Sequence, residues 1–231
     1  MSLPAKVAVA VLLGAALSAC AQEADPEAPT ASPSTASSGP AVLPSPTSFP
    51  VGESGFYGFP RDPAVPAEPF TLTDQDARPF RFPRDLDGEV ALVYFGYTHC
   101  PDICPGTLAG IAVALRELPA DIGDQVDVLF VTVDPERDTT EVVGDYVGLF
   151  SEDFVGLTGD EEDVQAILGS LGLPPATKYD LGGGEYGVGH PAGVLAFTPD
   201  GFAHLEYPFG VTVEMWTHDL EKLVLEGWED A

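Results

Sequence analysis

The stretch that decides the fold covers residues 90–108 and has the sequence Val90-Ala-Leu-Val-Tyr-Phe-Gly-Tyr-Thr-His-Cys100-Pro-Asp-Ile-Cys104-Pro-Gly-Thr-Leu108. Its first eight residues are apolar, β-branched or aromatic, which is typical of a central strand buried on both faces. After the cysteines, apolar residues return at helical spacing at Leu108, Ile111, Ala112 and Leu115. A strand that turns into a helix ends at the carboxyl edge of its sheet. The pattern therefore places both cysteines where open α/β sheets carry their chemistry.

The spacing of Cys100 and Cys104 allows two kinds of chemistry. Side chains four residues apart share one helix face, with Cβ atoms roughly 5–6 Å from each other. Two thiolates at that separation can hold one soft metal ion. They can also close a disulfide, which needs Cα atoms roughly 4.4–6.8 Å apart. A helix N-terminus favours the thiolate in either case. The plain alternative is a pair of ordinary buried cysteines, which the flanking Pro101 and Pro105 disfavour.

Composition limits the classes of partner. The chain has 231 residues and a formal net charge of −28, from 37 acidic and 9 basic residues. Its length suits one domain with additional segments. An acidic surface repels nucleic acid and anionic lipid headgroups, so we expect neither as a partner. The third cysteine, Cys20, lies far from the pair, and the count does not indicate a framework of structural disulfides.

The N-terminus is predicted to be a leader. Lys6 is followed by small and apolar residues from 7 to 19, a run too short for a bilayer span of about 20 residues and typical of a secretory signal. It ends in Leu17-Ser18-Ala19-Cys20, which resembles the bacterial lipoprotein signal. We therefore predict a signal peptide at 1–19 and lipid attachment at Cys20. This places the protein on the extracytoplasmic (periplasmic) face of a bacterial membrane, held by its lipid alone. A signal peptide without lipidation is the alternative.

Residues 20–66 are rich in Pro, Ala and Ser, and they are predicted to be a disordered linker. Residues 67–231 are predicted to fold as one α/β domain. After an N-terminal hairpin, its elements follow the order β-α-β-α-β-β-α. This order indicates a thioredoxin-like sandwich with a central mixed sheet flanked by helices. Asp138 is predicted to cap a helix, and residues 175–189 are predicted to form a mobile loop or loose hairpin.

His190 is the candidate third ligand beside the cysteines. It follows the glycine-rich stretch and precedes an apolar strand. In a thioredoxin-like fold, the loop that enters this strand packs beside the cysteine turn. Two thiolates and one imidazole form a soft, low-coordinate donor set that suits copper, whereas zinc normally takes a fourth ligand. His99, which adjoins Cys100, is the alternative ligand.

Three motifs together resemble the Sco/SenC family of copper proteins. They are Phe95-Gly-Tyr-Thr-His-Cys-Pro-Asp-Ile-Cys-Pro105, Val131-Thr-Val-Asp-Pro-Glu-Arg-Asp-Thr139 and Gly156-Leu-Thr-Gly159. The resemblance covers roughly residues 70–227. It implies that Cys100, Cys104 and His190 bind one copper ion. The family's histidine stands about eleven residues before the glycine of a Pro-x-Gly turn, and His190 and Gly201 have this spacing.

The resemblance also implies a function. Proteins of this family are attached to a membrane by an anchor and act in the assembly of the dinuclear copper (CuA) centre of cytochrome c oxidase. The expected partners are therefore the copper-bearing oxidase subunit or other copper and thiol proteins. Asp134 and His99 are candidates for the surroundings of the metal. Pro191 departs from the family pattern, which has Ser or Thr there. The isomer of the bond before it stays open, because thioredoxin relatives keep a cis-proline nearby.

Two other functions compete with a metallochaperone. A thiol-disulfide oxidoreductase without obligatory metal would use Cys100 and Cys104 as a redox-active pair. Dedicated reductases of this fold place two residues between their cysteines, and here there are three. A thiol peroxidase is the third hypothesis. Its pattern requires Thr or Ser three residues before the reactive cysteine, where this chain has Tyr97.

Overall fold

The computed structural model describes residues 51–88 and 90–228. The predicted signal peptide, the lipid site at Cys20 and most of the predicted linker lie outside the described residues. Within them, no helix combines the length and apolar character that crossing a membrane requires.

The described residues form ten strands and five helices. The strands are β1 Phe59–Pro66, β2 Phe70–Asp74, β3 Pro79–Phe82, β4 Val90–Gly96, β5 Val126–Thr132, β6 Val155–Thr158, β7 Thr177–Gly182, β8 Glu185–Gly189, β9 Val194–Phe197 and β10 Phe202–Tyr207. The helices are α1 Ile103–Glu117, α2 Ala120–Gly123, α3 Thr140–Gly148, α4 Glu161–Ser170 and α5 Val213–Glu226.

Eight strands form one mixed sheet in the order β1-β10-β9-β4-β5-β6-β2-β3, and β7 and β8 form a separate pair. β4 lies at the centre, parallel to β5 and antiparallel to β9. Every residue of β4 is buried, as the apolar run predicts for a strand covered on both faces. Helices flank the sheet, and β2 and β3 form the predicted hairpin. The structure therefore confirms a thioredoxin-like α/β fold.

The pairing of the central strands places the candidate site. Tyr94 near the end of β4 is in register with Phe130 of β5 and with Val194 at the start of β9. Because β5 is parallel to β4 and β9 is antiparallel, the segments after β4, after β5 and before β9 meet at one edge of the sheet. The first of these carries the two cysteines and the last carries His190.

The folded part begins earlier than the predicted boundary at residue 67. β1 pairs with β10 and becomes an edge strand of the main sheet. Phe56, before it, is buried and stacks on Trp228 with ring centroids 5.5 Å apart. The linker prediction was wrong over this part because the strand contains Pro60, Pro63 and Pro66. Prolines suit an edge strand, which has only one neighbour to pair with.

Of the two alternatives predicted for residues 175–189, a mobile loop or a loose hairpin, the structure shows the hairpin. It contains β7 and β8, which pair in antiparallel register from Thr177 with Gly189 to Gly182 with Glu185. Gly182, Gly183 and Gly184 all have positive φ. This backbone conformation forms the hairpin turn and is strained for residues that carry a Cβ.

The helix cap predicted at Asp138 falls one residue later. Thr139 is the N-cap residue of α3, and its hydroxyl accepts a hydrogen bond from the amide of Val142. Asp138 is fully buried and points instead toward the cysteine turn. Among the described residues, the cis peptide bonds are Asp62–Pro63 and Phe82–Pro83. The bond before Pro191 is therefore trans.

Candidate metal centre

The two cysteines lie at the connection between β4 and α1. β4 ends at Gly96, and α1 begins at Ile103 after its N-cap residue Asp102. Cys104 lies in the first turn of the helix, and its amide approaches the Cys100 sulfur at 3.5 Å. Both are free thiols. An amide of the helix N-terminus that has no partner within the helix thus donates to the Cys100 sulfur.

The structure brings His190 to this pair from a distant part of the chain. The ligand atoms of Cys100, Cys104 and His190 all lie within 4.8 Å of one another. Cys104 Sγ and His190 Nε2 lie 3.6 Å apart. Within residues 51–88 and 90–228, no other His, Cys, Asp or Glu joins this cluster.

A hydrogen bond fixes which nitrogen of His190 faces the sulfurs. Nδ1 lies 2.8 Å from the carbonyl oxygen of Pro191. A carbonyl only accepts, so Nδ1 carries the proton and Nε2 presents its lone pair toward Cys104 Sγ. Burial lowers the pKa of His190, which keeps the ring neutral. A neutral imidazole whose other nitrogen donates to a carbonyl is the usual state of a metal-binding histidine.

Aromatic residues surround the cluster. The Tyr97 ring meets the His190 ring edge-on with centroids 5.6 Å apart. The Tyr94 hydroxyl donates to Cys104 Sγ at 3.3 Å. Burial raises the pKa of the Cys104 thiol to about 12, so a metal must displace its proton on binding. Cys104 is 0% exposed and Cys100 is 7% exposed, so both are buried and Cys100 lies slightly nearer the surface.

The other two candidates lie outside the cluster. His99 is about half exposed, and its Nδ1 lies 3.1 Å from Thr98 Oγ1. Asp134 is fully buried and accepts hydrogen bonds from Arg137 Nε and from the Tyr186 hydroxyl. Neither residue supplies a ligand atom to the cluster formed by the cysteines and His190.

Asp138 is a residue of this site that sequence reasoning missed. Its carboxylate accepts from the Thr98 amide at 2.9 Å and from the Thr98 hydroxyl at 2.6 Å. It also accepts from the Thr132 hydroxyl at 2.6 Å. It therefore ties the turn before Cys100 to the end of β5. The buried carboxylate follows a Pro-containing turn, and its partners lie 6 and 40 residues away in the sequence. Local pattern alone does not distinguish such a group from a helix cap.

Gly96 provides a test of how tightly this region is packed. A Cβ at this position would lie 2.7 Å from the Phe130 ring and 2.9 Å from Cys104 Sγ. We expect Gly96→Ala to lower the free energy of unfolding by about 1–3 kcal/mol, because the buried neighbours must shift. Denaturant unfolding measures this loss. Gly169→Ala, where nothing lies within 4 Å, is the control and should be neutral or stabilising by up to about 1 kcal/mol. Equal stability of both variants would contradict the tight packing.

The fold and this cluster define a thioredoxin-like protein with a dithiol–imidazole site at the carboxyl edge of its central sheet. A family model described as SCO1/SenC matches residues 60–225. The chain belongs to the SCO1/SenC family. This finding confirms the resemblance stated from the three motifs.

Relatives and solved structures agree with this membership. A Stutzerimonas stutzeri protein named for copper binding is 38% identical over 144 residues, covering 62% of this chain and 68% of that protein. The bovine mitochondrial SCO2 homolog is 37% identical over 142 residues, covering 61% of this chain and 53% of its own length. The chain thus matches about half of the mitochondrial relative.

Two solved structures resemble the domain closely. Thermus thermophilus Sco1, determined without metal, has a TM-score of 0.65 and 34% identity, covering 73% of this chain and 96% of that one. Bradyrhizobium japonicum ScoI with copper bound has a TM-score of 0.62 and 34% identity, covering 68% of this chain and 99% of that one.

Proposed function

We propose that the protein binds one copper ion through Cys100 Sγ, Cys104 Sγ and His190 Nε2 and delivers it to the CuA centre of cytochrome c oxidase. The observation that carries this proposal is the convergence of the three ligand atoms within 4.8 Å. Two sulfurs and one imidazole suit a soft metal in low coordination. Copper-bound structures of Sco proteins with the same fold support the choice of metal.

Two features of the site suit the binding and transfer of copper. The buried Cys104 and the neutral His190 are held in place before the metal arrives, which reduces the entropy lost on binding. The outer sulfur of Cys100 leaves a side from which a receiving protein can attack by ligand exchange. Copper is thus the cargo of the site, and the receiving subunit is its partner.

Removing the imidazole tests the ligand set. The reduced protein is expected to bind one Cu(I) per chain, and His190→Ala should weaken this binding by at least about a hundredfold, because loss of one of three ligands should exceed the loss of a group that only orients a ligand. Competition with a chromophoric Cu(I) chelator measures the affinity. His99→Ala removes the exposed neighbour of Cys100 and serves as the control, with an affinity close to wild type. If His99→Ala weakens binding more than His190→Ala, the ligand assignment is wrong.

Oxidation of the cysteine pair tests the need for thiolates. Metal binding requires free thiolates, so protein with a Cys100–Cys104 disulfide should retain little copper after desalting. Reduction should restore one copper per chain. Full copper content in the oxidised protein would refute the proposed site. Metal analysis on the same preparation before and after reduction provides the measurement.

We further propose that the protein acts outside the cytoplasm, anchored by a lipid on Cys20. The support is the match of residues 17–20 to the lipoprotein signal. Mass spectrometry of the protein from membranes of its host should show a diacylated N-terminal cysteine. Cys20→Ser should release the protein into the soluble extracytoplasmic fraction. An N-terminus at another residue, without lipid, would contradict this proposal.

A thiol-disulfide oxidoreductase is the second candidate. It is favoured by two free thiols whose sulfurs lie within 4.8 Å of each other, since one thiol can attack a disulfide and the other can resolve the mixed disulfide. His190→Ala separates the two functions: loss of copper binding with disulfide reduction intact would indicate distinct roles. The peroxidase hypothesis gains no support, because the ring of Tyr97 packs against His190 at the position where a Thr or Ser hydroxyl is required.

A further inference from the structure

The hairpin that leads into His190 is not part of the main sheet. β7 and β8 pair only with each other among the described strands, and every residue of β7 is exposed. The placement of His190 therefore depends on what holds this hairpin against the rest of the domain. Gln165 of α4 holds its start, since its side chain exchanges two hydrogen bonds with the backbone of Ala176.

Closer to His190, Val188 of β8 is buried in the core, and Arg137 makes the polar contacts with the hairpin. The Arg137 guanidinium lies over the Tyr186 ring, with Cζ 3.7 Å from the ring centroid. Its Nη1 donates to the carbonyl oxygen of Tyr186 at 3.1 Å, and its Nε donates to Asp134. The Tyr186 hydroxyl donates to the same carboxylate at 2.9 Å. Arg137, Asp134 and Tyr186 thus close a ring of contacts between β8 and the loop after β5, and we call this group the latch.

The latch reaches the metal cluster through Tyr97. Arg137 Cζ lies 5.8 Å from the centroid of the Tyr97 ring. The same ring lies edge-on to His190, with centroids 5.6 Å apart. The Tyr97 side chain also lies near the backbone of Val188, two residues before His190. A displacement of Arg137 therefore affects both the strand that leads into His190 and the ring packed against its imidazole.

We propose that the latch positions His190 for copper, with Arg137 and Tyr186 acting as positioning residues for the third ligand. The inference rests on the proposed copper function and names the residues that hold the third ligand in position. A planar guanidinium can stack on one ring and make directed bonds to a carboxylate and a carbonyl at once, and lysine cannot. Loss of the latch leaves the two sulfurs in place and lets the imidazole sample positions away from Cys104.

Arg137→Lys is the main test, and its copper readout is a double-mutant cycle. In the reduced protein, we expect Arg137→Lys to weaken Cu(I) binding by about tenfold, the effect usual for a group that orients a ligand. In a His190→Ala background, the same substitution should change the affinity less than about twofold, because the group it positions is gone. An equal loss in both backgrounds would overturn the latch.

Two further variants sharpen the comparison. Tyr186→Phe keeps the stacked ring and removes the hydroxyl that donates to Asp134, so we expect a smaller loss than for Arg137→Lys. Lys178→Met is the matched control on the same hairpin. Lys178 forms ion pairs at the surface with Glu136 and Glu161, and its Nζ lies 5.6 Å from the centroid of the Tyr186 ring. Such exposed contacts contribute little energy, and its removal should change Cu(I) affinity by less than about twofold. A Lys178→Met effect as large as that of Arg137→Lys would show that general anchoring, and not the latch, positions the ligand.

A readout without copper separates failure of the latch from failure of the proposed function. In the metal-free reduced protein, NMR should show cross-relaxation between the Tyr97 and His190 rings, and a His190 ring protonated at Nδ1. Arg137→Lys should weaken this cross-relaxation, and Lys178→Met should not. If these signals are identical in all variants, the latch is refuted even where copper binds. If the wild-type protein binds no copper while the signals respond as expected, the latch stands and the copper function fails.

Discussion

Replacing Cys104 with serine is expected to reduce Cu(I) affinity by at least about a hundredfold while the fold is retained. Serine keeps nearly the volume of cysteine, and its hydroxyl can still accept the hydrogen bond from Tyr94. Its oxygen is a hard donor that stays protonated near neutral pH, and soft Cu(I) prefers thiolate. Loss of a ligand should exceed the 10- to 100-fold effect of removing a group that merely orients one. Chelator competition on the reduced protein measures the change.

Two controls make this result specific. Circular dichroism and thermal unfolding should place Cys104→Ser close to wild type. Ala109→Ser adds the same hydroxyl at an exposed position of α1, and it should bind copper normally. Cys100→Ser should lose copper binding to a similar extent. Near wild-type affinity in Cys104→Ser would mean that the inner sulfur is not a ligand.

Replacing Asp138 with alanine is expected to cause the largest loss of stability, about 3 kcal/mol in the free energy of unfolding. The fully buried carboxylate accepts hydrogen bonds from Thr98 and Thr132. Its removal leaves buried donors without a partner, and each such group costs about 1–3 kcal/mol. The turn before Cys100 also loses its connection to β5 through Asp138. The copper affinity of folded Asp138→Ala should therefore fall as well.

Urea unfolding provides the measurement, with the midpoint and slope determined for each variant. Asp145→Ala removes an exposed carboxylate from α3 and is the control, expected within about 0.5 kcal/mol of wild type. Asp138→Asn keeps the size of the side chain but retains only one accepting oxygen, and it should fall between the two. A midpoint for Asp138→Ala equal to that of the control would contradict the role assigned to Asp138.

The sequence was most informative where one local pattern determines the structure. The buried run from Val90 and the helical spacing after Cys104 predicted β4 and α1, because a strand covered on both faces is apolar throughout. The family was likewise predictable from short motifs. His190 lies 86 residues from Cys104. Its approach to the pair could be inferred only through the fold, in which β9 begins beside the end of β4.

The features that the sequence did not predict depend on contacts between distant segments. The proline content of β1 is typical of a linker, and only pairing with β10 makes the segment a strand. Asp138 and Thr139 are both good cap residues. Which of them caps α3 is decided by Thr98 and Thr132, whose donors attract the carboxylate into the interior. In the hairpin, β7 is exposed along its whole length and β8 buries Val188, so its docking depends on this one apolar contact and on Arg137 and Tyr186, and not on apolar periodicity.

The division of the strands into two sheets has a consequence for the proposed transfer of copper. The sulfurs are fixed to the central sheet, whereas His190 stands between that sheet and the β7–β8 pair. Under the proposed function, an acceptor that attacks Cys100 meets an imidazole that can move with the smaller unit while the folded core stays intact. The copper affinity of the protein and its thermal resistance then become separately adjustable properties.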